Sequence, residues 1–213
     1  MIQFTTGGVE ITASPINLKE AQHQFERRKL IYLPKLLSPE VAEMVRKGIE
    51  QDGFEKPDAA TGAGSPYRGA YQKGKVGEDL RRGEAAELIA KRTNDPRLLQ
   101  FVQNISGSPP LAKCIGRVFR LFPMADDLPW HTDAEGGRLA DLIIHLSPVQ
   151  HEGARFEMRD AHTREICNTV DAMEFGDGLL IRISPQIEHR YKAVTGSVPK
   201  VTFSGWFVPK DLT

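Results

Sequence analysis

The sequence predicts a mainly β fold with flanking helices (α+β), and three observations support this prediction. Seven short β-like segments lie between residues 114 and 207, separated by turns and without helical patterns between them. Two helix starts precede them, at Ser38-Pro39-Glu40 and Asp95-Pro96. The length, 213 residues, suits one domain. We therefore expect an antiparallel sandwich or barrel with N-terminal helical support.

The predicted helices occupy the first half of the chain. Ser38 supplies a hydroxyl N-cap, Pro39 suits the first helical position, and the acid Glu40 faces the positive end of the helix dipole. Apolar residues at helical spacing follow both helix starts. A third helix is predicted over Glu84–Arg92. These helices could support the sheet or form a dimer interface, so the sequence leaves monomer and homodimer open.

Residues 51–83 contain many glycines, two prolines and mixed charge. This composition fits a mobile surface loop, but long structureless loops in compact domains often act as lids over a site. Tyr67, Arg68 and Tyr71 are the side chains there that are best able to hold a substrate.

The seven β-like segments are rich in β-branched and aromatic residues and are bounded by turn residues. We predict strands at Cys114–Phe122, Leu139–Leu146, Ala154–Met158, Glu165–Val170, Gly178–Ile183, Glu188–Val194 and Lys200–Phe207.

Composition excludes several classes of protein. Lys+Arg and Asp+Glu both number 28, so the formal net charge is zero, which disfavours nucleic acid or an acidic membrane as a partner. No apolar run approaches the length of a membrane span, and the N-terminus lacks a signal-peptide pattern, so we expect a cytoplasmic protein. Two cysteines cannot form a disulfide scaffold.

The segment Trp130-His131-Thr132-Asp133 is the first candidate site. On an extended strand, residues two apart point to the same face, so His131 and Asp133 can reach one metal ion together. A third ligand must come from another strand, and His189 is the best candidate. Two histidines and one carboxylate form the facial set that leaves three positions open on non-haem Fe(II).

The last predicted strand carries a second candidate site. Alternation places Lys200, Thr202, Ser204 and Trp206 on one face and Val201 with Phe203 on the other. If the first face is buried, Lys200 needs an anion, and the hydroxyl groups would complete a carboxylate clamp. If that face is exposed, Lys200 is simply solvated.

Taken together, WHTD, RLADLIIHLSP with GARFEM, FGDGLLIRI and IEHRYKAVTGSVPKVTFSGWF resemble the Fe(II)/2-oxoglutarate-dependent oxygenases. The closest similarity is to the prolyl 4-hydroxylase-like branch, and it covers residues 117–207. The resemblance implies a double-stranded β-helix (jelly roll, cupin-like) in one oxygenase domain over 1–213. Residues 112–213 would form the β-helix core and residues 1–111 the helical support.

The resemblance also implies roles for the candidate residues. His131, Asp133 and His189 would bind Fe(II), and Lys200, assisted by Thr202 or Ser204, would pair with the distal carboxylate of 2-oxoglutarate. A tyrosine common on the strand before the ligand pair is absent, and Arg120 could compensate for it. Dioxygen is the second cosubstrate.

The implied reaction oxidises an unactivated C–H bond of a small molecule, such as an amino acid or a natural-product intermediate, and releases succinate and CO2. Because Asp133 fills the place that is small in related halogenases, hydroxylation, desaturation or ring closure is favoured over halogenation. Arg182 could bind a substrate carboxylate or lie on the outer face of its strand. The alternatives are a peptidyl hydroxylase, a cupin-like metal-binding isomerase or sensor, and a binding module with incidental histidines. The absence of an HxH motif argues against the cupin-like alternative.

Overall fold

A six-stranded antiparallel sheet forms the centre of the computed structural model, which describes residues 1–54, 77–80, 82–123, 127–171 and 173–210. Within these residues the strands are β1 Ile2–Thr5, β2 Gly8–Ile11, β3 Leu30–Leu33, β4 Gly77–Leu80, β5 Leu111–Leu121, β6 Ala140–His145, β7 Phe156–Asp160, β8 Ile166–Val170, β9 Gly178–Arg182, β10 Ile187–Tyr191 and β11 Lys200–Pro209. The large sheet has the order β3-β9-β6-β11-β5-β4, a second sheet has the order β10-β7-β8, and β1 pairs with β2. Each of the seven predicted strands is present.

The helices lie along one face of the large sheet. In the described part of the chain they are α1 Pro15–Arg28, α2 Pro39–Gln51, α3 Glu84–Thr93 and α4 Pro96–Ser106. Ser38 accepts a hydrogen bond from the backbone N–H of Val41, and Asp95 accepts one from that of Arg97, so both predicted helix starts are confirmed. None of the described helices combines the length and hydrophobicity that a membrane span requires.

The alternation of β11 separates two hydrophobic cores. Val201 and Phe203 pack with the helices on the outer side of the large sheet, and this core is the larger one. The second core lies between the two sheets and combines Phe119 and Ile143 of the large sheet with Phe156 of the small sheet. Lys200 and the other even-numbered residues of β11 therefore face the space between the sheets.

The region that precedes β5 is less helical than the sequence predicts. β3 pairs with β9 and β4 pairs with β5, so two short strands from this region form both edges of the large sheet. Residues 77–80, which are part of the predicted loop 51–83, form β4. Strands of four residues are too short to show a clear alternation of apolar and polar residues. These strands form because they pair with β9 and β5, which are distant in the sequence.

Candidate metal and cosubstrate site

His131, Asp133 and His189 meet between the two sheets. One potential ligand atom of each residue lies within 4.8 Å of the others. His131 and His189 form an antiparallel bridge in which the N–H of His189 donates to the carbonyl of His131 at 2.9 Å and the N–H of His131 donates back at 3.2 Å. The backbone therefore fixes the two histidines side by side, and Asp133 follows two residues after the first.

The protonation states of His131 and Asp133 suit metal binding. His131 Nδ1 lies 2.9 Å from the carbonyl oxygen of Pro129, which favours a proton on Nδ1 and leaves the Nε2 lone pair for a metal ion. Burial, together with neighbouring His189, lowers the pKa of His131 to about 4, so its ring is neutral at pH 7. Burial alone would raise the pKa of Asp133, but the neighbouring rings of His189 and His131 and the hydrogen bond from Trp206 hold it well below its usual range.

Asp133 is held in place by residues of the sheet and the following loop. The indole N–H of Trp206 donates to Asp133 Oδ2 at 2.7 Å. Arg138 lies 3.8 Å from Asp133 Oδ1 and stacks over the Trp206 ring, with its guanidinium carbon 4.2 Å from the ring centroid. The same Oδ2 lies 3.6 Å from His189 Nε2. These contacts orient a carboxylate that would otherwise rotate, which is a common property of metal-binding carboxylates.

Lys200 is buried on the inner face, with 7% of its surface exposed. Its ammonium group donates to the carbonyl oxygen of Ala154 at 3.2 Å and lies 3.9 Å from the centroid of the Tyr191 ring. Burial lowers the pKa of Lys200 from 10.5 to about 7. The exposed alternative for this face is therefore excluded, and Lys200 is a buried cation without a carboxylate salt bridge among the described residues.

The two hydroxyl groups of β11 already donate within the protein. Thr202 donates to the carbonyl oxygen of Ile144 at 2.9 Å, and Ser204 donates to Asp141 Oδ2 at 2.8 Å. Both hydroxyl oxygens can still accept a hydrogen bond. Their part in binding a carboxylate thus stays a prediction.

Asp141 is a buried acid that the sequence analysis missed. It faces the same cavity as the metal ligands, and its second oxygen accepts a hydrogen bond from the backbone N–H of Gly205 at 2.8 Å. Burial, then the charge of Asp133, raises its pKa to about 7. The sequence contained one signal for this residue: Asp141 is the single acid within the largely apolar run LADLIIHL.

A narrow cavity of about 30 Å³ lies beside the metal ligands, and its apolar walls include Phe119, Leu128, Ile143 and Tyr191. Tyr191 also touches Lys200, so it connects the cavity wall with the buried ammonium group.

An adjoining pocket of about 530 Å³ shares Arg117 and Trp206 with the narrow cavity. Its other walls include Ile115 and Arg138 and, on the helix side of the sheet, Leu80 and Phe203 together with α3. The narrow cavity beside the candidate ligands is therefore bordered, at the edge of β5, by a wider pocket that lies toward α3 and is large enough for an organic molecule.

Other predicted site residues lie elsewhere. Arg120 is paired with Val201 and stacks over Phe54 on the outer side of β5, with its guanidinium carbon 4.3 Å from the ring centroid. Arg182 also lies on the outer side, where it donates to the carbonyl oxygen of Ser106 and stacks over Phe25. Both arginines therefore point away from the cavity. For Arg182 this is the outer-face alternative, and for Arg120 it contradicts a place in the cosubstrate pocket. Tyr67, Arg68 and Tyr71 fall outside the described residues.

Comparisons with known proteins give fold relatives only. No family model and no curated protein sequence matches the chain. Among solved structures, an oxidoreductase of the 2OG-Fe(II) oxygenase family from Burkholderia pseudomallei has a TM-score of 0.64 and 13% identity, over 93% of each chain. The epimerase SnoN in complex with Fe3+, alpha ketoglutarate and nogalamycin RO has a TM-score of 0.61 and 13% identity, over 92% of this chain and 85% of that chain.

A prolyl hydroxylase from Trichoplax adhaerens, in complex with a hypoxia inducible factor peptide fragment, is also similar. Its TM-score is 0.59 with 11% identity, over 94% of this chain and 96% of that chain. At these identities the comparisons show the fold. The chain has the jelly-roll fold of the 2-oxoglutarate oxygenases, so the predicted fold class is confirmed.

Proposed function

We propose that this protein is an Fe(II)/2-oxoglutarate-dependent dioxygenase that oxidises a C–H bond of a small organic molecule. The observation that carries this proposal is the pairing of His131, Asp133 and His189 with buried Lys200 between the same two sheets. A two-histidine, one-carboxylate set suits Fe(II) with three open positions. A buried, unneutralised ammonium group suits the far end of a dicarboxylate.

The donor set fits Fe(II) by its own chemistry. His131 offers a neutral Nε2 because its Nδ1 is occupied by a carbonyl oxygen, and Asp133 is ionised. When bound, Fe(II) with 2-oxoglutarate and dioxygen supplies an oxidant strong enough for an unactivated C–H bond, with succinate and CO2 as co-products. The protein residues orient the ligands, exclude water and position the substrate.

The wider pocket supports a small-molecule substrate. Its volume of about 530 Å³ lies within the range of ligand pockets, and its walls combine aliphatic side chains with Trp206 and arginines. The SnoN structure contains nogalamycin RO, a small molecule, whereas the prolyl hydroxylase structure contains a peptide. We therefore propose an amino acid or natural-product intermediate as substrate, with a peptide as the alternative.

We further propose that the protein works in the cytoplasm as a monomer or homodimer and does not act on nucleic acid. The zero net charge and the two free cysteines, Cys114 and Cys167, support this setting.

Anaerobic titration tests the proposed function. Fe(II) is added to the purified protein, followed by 2-oxoglutarate, and the weak visible charge-transfer band is recorded. We expect a band that needs both additions, that is lost in His131→Ala, and that is retained in His23→Ala, which removes an exposed histidine of α1. Metal binding without this band would contradict the proposal and favour a cupin-like metal protein.

Once the band is established, succinate release identifies the substrate. Amino acids, natural-product intermediates and proline-containing peptides are compared at equal concentration. Stimulation by peptides alone would overturn the small-molecule part of the proposal.

A further inference from the structure

A separate pocket of about 580 Å³ lies beside the C-terminal end of α1, where this helix meets the end of β9 and the start of β10. We call it the α1 pocket. Its polar walls include Arg27, Arg28, Lys29, Asn168, Arg182 and Ser184. The described residues that line it include none of the candidate metal ligands and none of the walls of the wider pocket near α3. The α1 pocket therefore has no part in the site described above.

Four cationic side chains converge on the α1 pocket from two distant parts of the chain. Three follow one another at the end of α1, and the fourth is Arg182, at the end of β9. Asp160 is the only acid among the described residues that line the pocket. Its Oδ1 already accepts the backbone N–H groups of His162 and Thr163, each at 2.8 Å. The lining thus carries four positive charges against one negative charge.

None of these four cations forms a salt bridge within the described part of the chain. Other arginines of the protein are paired, since Arg159 and Arg164 contact Glu188 at 2.7 and 2.6 Å. Arg182 instead donates to a neutral acceptor, the carbonyl oxygen of Ser106, at 3.1 Å. A concave surface lined by unneutralised charges of one sign concentrates the opposite charge, so the α1 pocket favours an anion.

The backbone around the α1 pocket is anchored on two sides. The side-chain amide of Asn168 in β8 donates to the carbonyl oxygen of Arg28 at 2.8 Å. Lys29 ends the helix in a left-handed conformation, with φ 64°, and its carbonyl oxygen accepts the backbone N–H of Arg182 at 2.8 Å. The cationic residues are therefore brought together by the fold itself, which lowers the entropy cost of binding a ligand.

Cations at the end of a helix also have a structural explanation, because they interact favourably with the helix dipole. Arg27 and Arg28 stand in the last turn of α1, where this effect operates. It does not account for Arg182, which belongs to a strand, or for the concave shape that the four side chains share. The two explanations also differ in what they predict when an anion is added.

We propose that the α1 pocket binds a phosphate group, either free or carried by a small organic molecule. A guanidinium group donates two parallel hydrogen bonds to phosphate oxygens. A phosphate monoester carries a charge of about −1.5 to −2 near pH 7, which suits an excess of three positive charges better than one carboxylate does. Cys167 and Ile187 complete the wall and leave room for an organic part. The inference goes beyond the proposed function, because this site needs no metal ion.

Calorimetric titration of the purified protein with inorganic phosphate, and separately with glucose 6-phosphate, tests the inference at constant ionic strength set by sodium chloride. We expect one saturable site, and the double variant Arg27→Gln/Arg28→Gln should weaken binding about tenfold or more, as for loss of hydrogen bonds to a charged group. Lys91→Gln removes an exposed cation from the last turn of α3 and is the matched control. Absence of saturable binding, or equal affinity in the double variant and wild type, would overturn the inference.

The two phosphate ligands and acetate distinguish the chemistry of the ligand. Tighter binding of glucose 6-phosphate would identify an organic phosphate, and tighter binding of inorganic phosphate would identify the free ion; both support a phosphate site. Acetate that binds as tightly as inorganic phosphate would exclude phosphate as the preferred group.

Lys200 must be tested as well, because it is another cation without a salt bridge within the described residues. Lys200→Met should bind phosphate as wild type does. Loss of phosphate binding in Lys200→Met, with retention in Arg27→Gln/Arg28→Gln, would show that phosphate binds between the sheets and would contradict the assignment.

Thermal melts separate the phosphate site from a purely structural role of the arginines. Phosphate should raise the melting temperature of wild type more than sodium chloride of equal ionic strength does, because it binds only the folded chain. The double variant should lose this increase. If the arginines act on the helix dipole alone, the double variant melts earlier and phosphate has no specific effect on either protein.

Cys167 supplies a readout that does not depend on affinity. It is an exposed thiol in the wall of the α1 pocket, whereas Cys114 is buried. Glucose 6-phosphate should slow the alkylation of Cys167 by iodoacetamide, a neutral reagent, in proportion to the occupied fraction of the pocket. The double variant should show no such protection at the same concentration. An unchanged rate in wild type under saturating glucose 6-phosphate would contradict binding in this pocket.

Discussion

Replacing Lys200 by methionine should stabilise the apoprotein while removing its affinity for 2-oxoglutarate. Methionine is of similar length but carries no charge, so the substitution removes a buried cation whose proposed neutralising partner is the cosubstrate. A residue kept for folding would show the opposite result, because its loss would lower stability.

The magnitude follows from the pKa of Lys200, which burial lowers from 10.5 to about 7. At about 1.4 kcal/mol for each pKa unit, the charged ammonium destabilises the fold by roughly 5 kcal/mol as an upper limit. Loss of the hydrogen bond to the Ala154 carbonyl offsets about 1–3 kcal/mol of the gain. We therefore expect Lys200→Met to raise the free energy of unfolding by about 2–4 kcal/mol at neutral pH.

The sign of the pH dependence is fixed by the lowered pKa. Below about pH 7, the folded and unfolded states both carry the charged ammonium, and the full penalty applies. Between this value and 10.5, the folded state loses the proton before the unfolded state does, so wild-type stability rises with pH. The advantage of Lys200→Met should therefore shrink as pH rises.

Urea denaturation of the two apoproteins near pH 6.5 and near pH 9.5 measures this change. Lys113→Met, at an exposed position of β5, is the matched control and should change the free energy of unfolding by less than about 0.5 kcal/mol. A Lys200→Met protein that is less stable than wild type near pH 6.5, or whose advantage is the same at both pH values, would refute the reasoning.

Three further predictions concern the metal ligands and the sheet. Trp206→Phe removes the indole N–H that donates to Asp133 and should weaken Fe(II) or Mn(II) binding by about 10–100-fold in a calorimetric titration, whereas Trp130→Phe should leave it unchanged. Mn(II) at about 100 times its Kd should raise the free energy of unfolding by about 2.7 kcal/mol, and Asp133→Ala should abolish the effect in thermal melts. Gly205→Ala would place a Cβ 2.5 Å from the Phe203 ring, so it should lower stability by about 1–3 kcal/mol in the same melts; an unchanged melting temperature would show that the ring can move.

The sequence predicts those parts of the site that depend on local spacing. His131 and Asp133 are two residues apart, so any extended conformation brings them to one face, and the third ligand is one of few remaining histidines. The strand containing Lys200 is long enough for its alternation to be read directly. In each case, a few neighbouring residues are enough to predict which side chains share a face.

Roles that depend on long-range register could not be predicted in this way. Pairing of Lys200 with Leu121 places Arg120 on the outer side, and a shift by one residue would have reversed this result. Arg182 is likewise directed outward by its pairing with Ala140. The pairing of β6 with β11 likewise places His145 on the inner face, opposite Thr202.

The large sheet has a hydrophobic core on each side, and only its inner side faces the candidate metal site. Its outer side packs against the helices in the larger core, whereas its inner side carries Lys200 and part of the cavity wall and faces the candidate ligands on β10 and in the segment before β6. Substitutions at residues such as Leu128 and Ile143 would therefore reshape the cavity wall without altering the helix-side core. Such a division makes the inner face a favourable place for laboratory evolution, in which new substrate preferences could accumulate before the loss of folding stability limits further change.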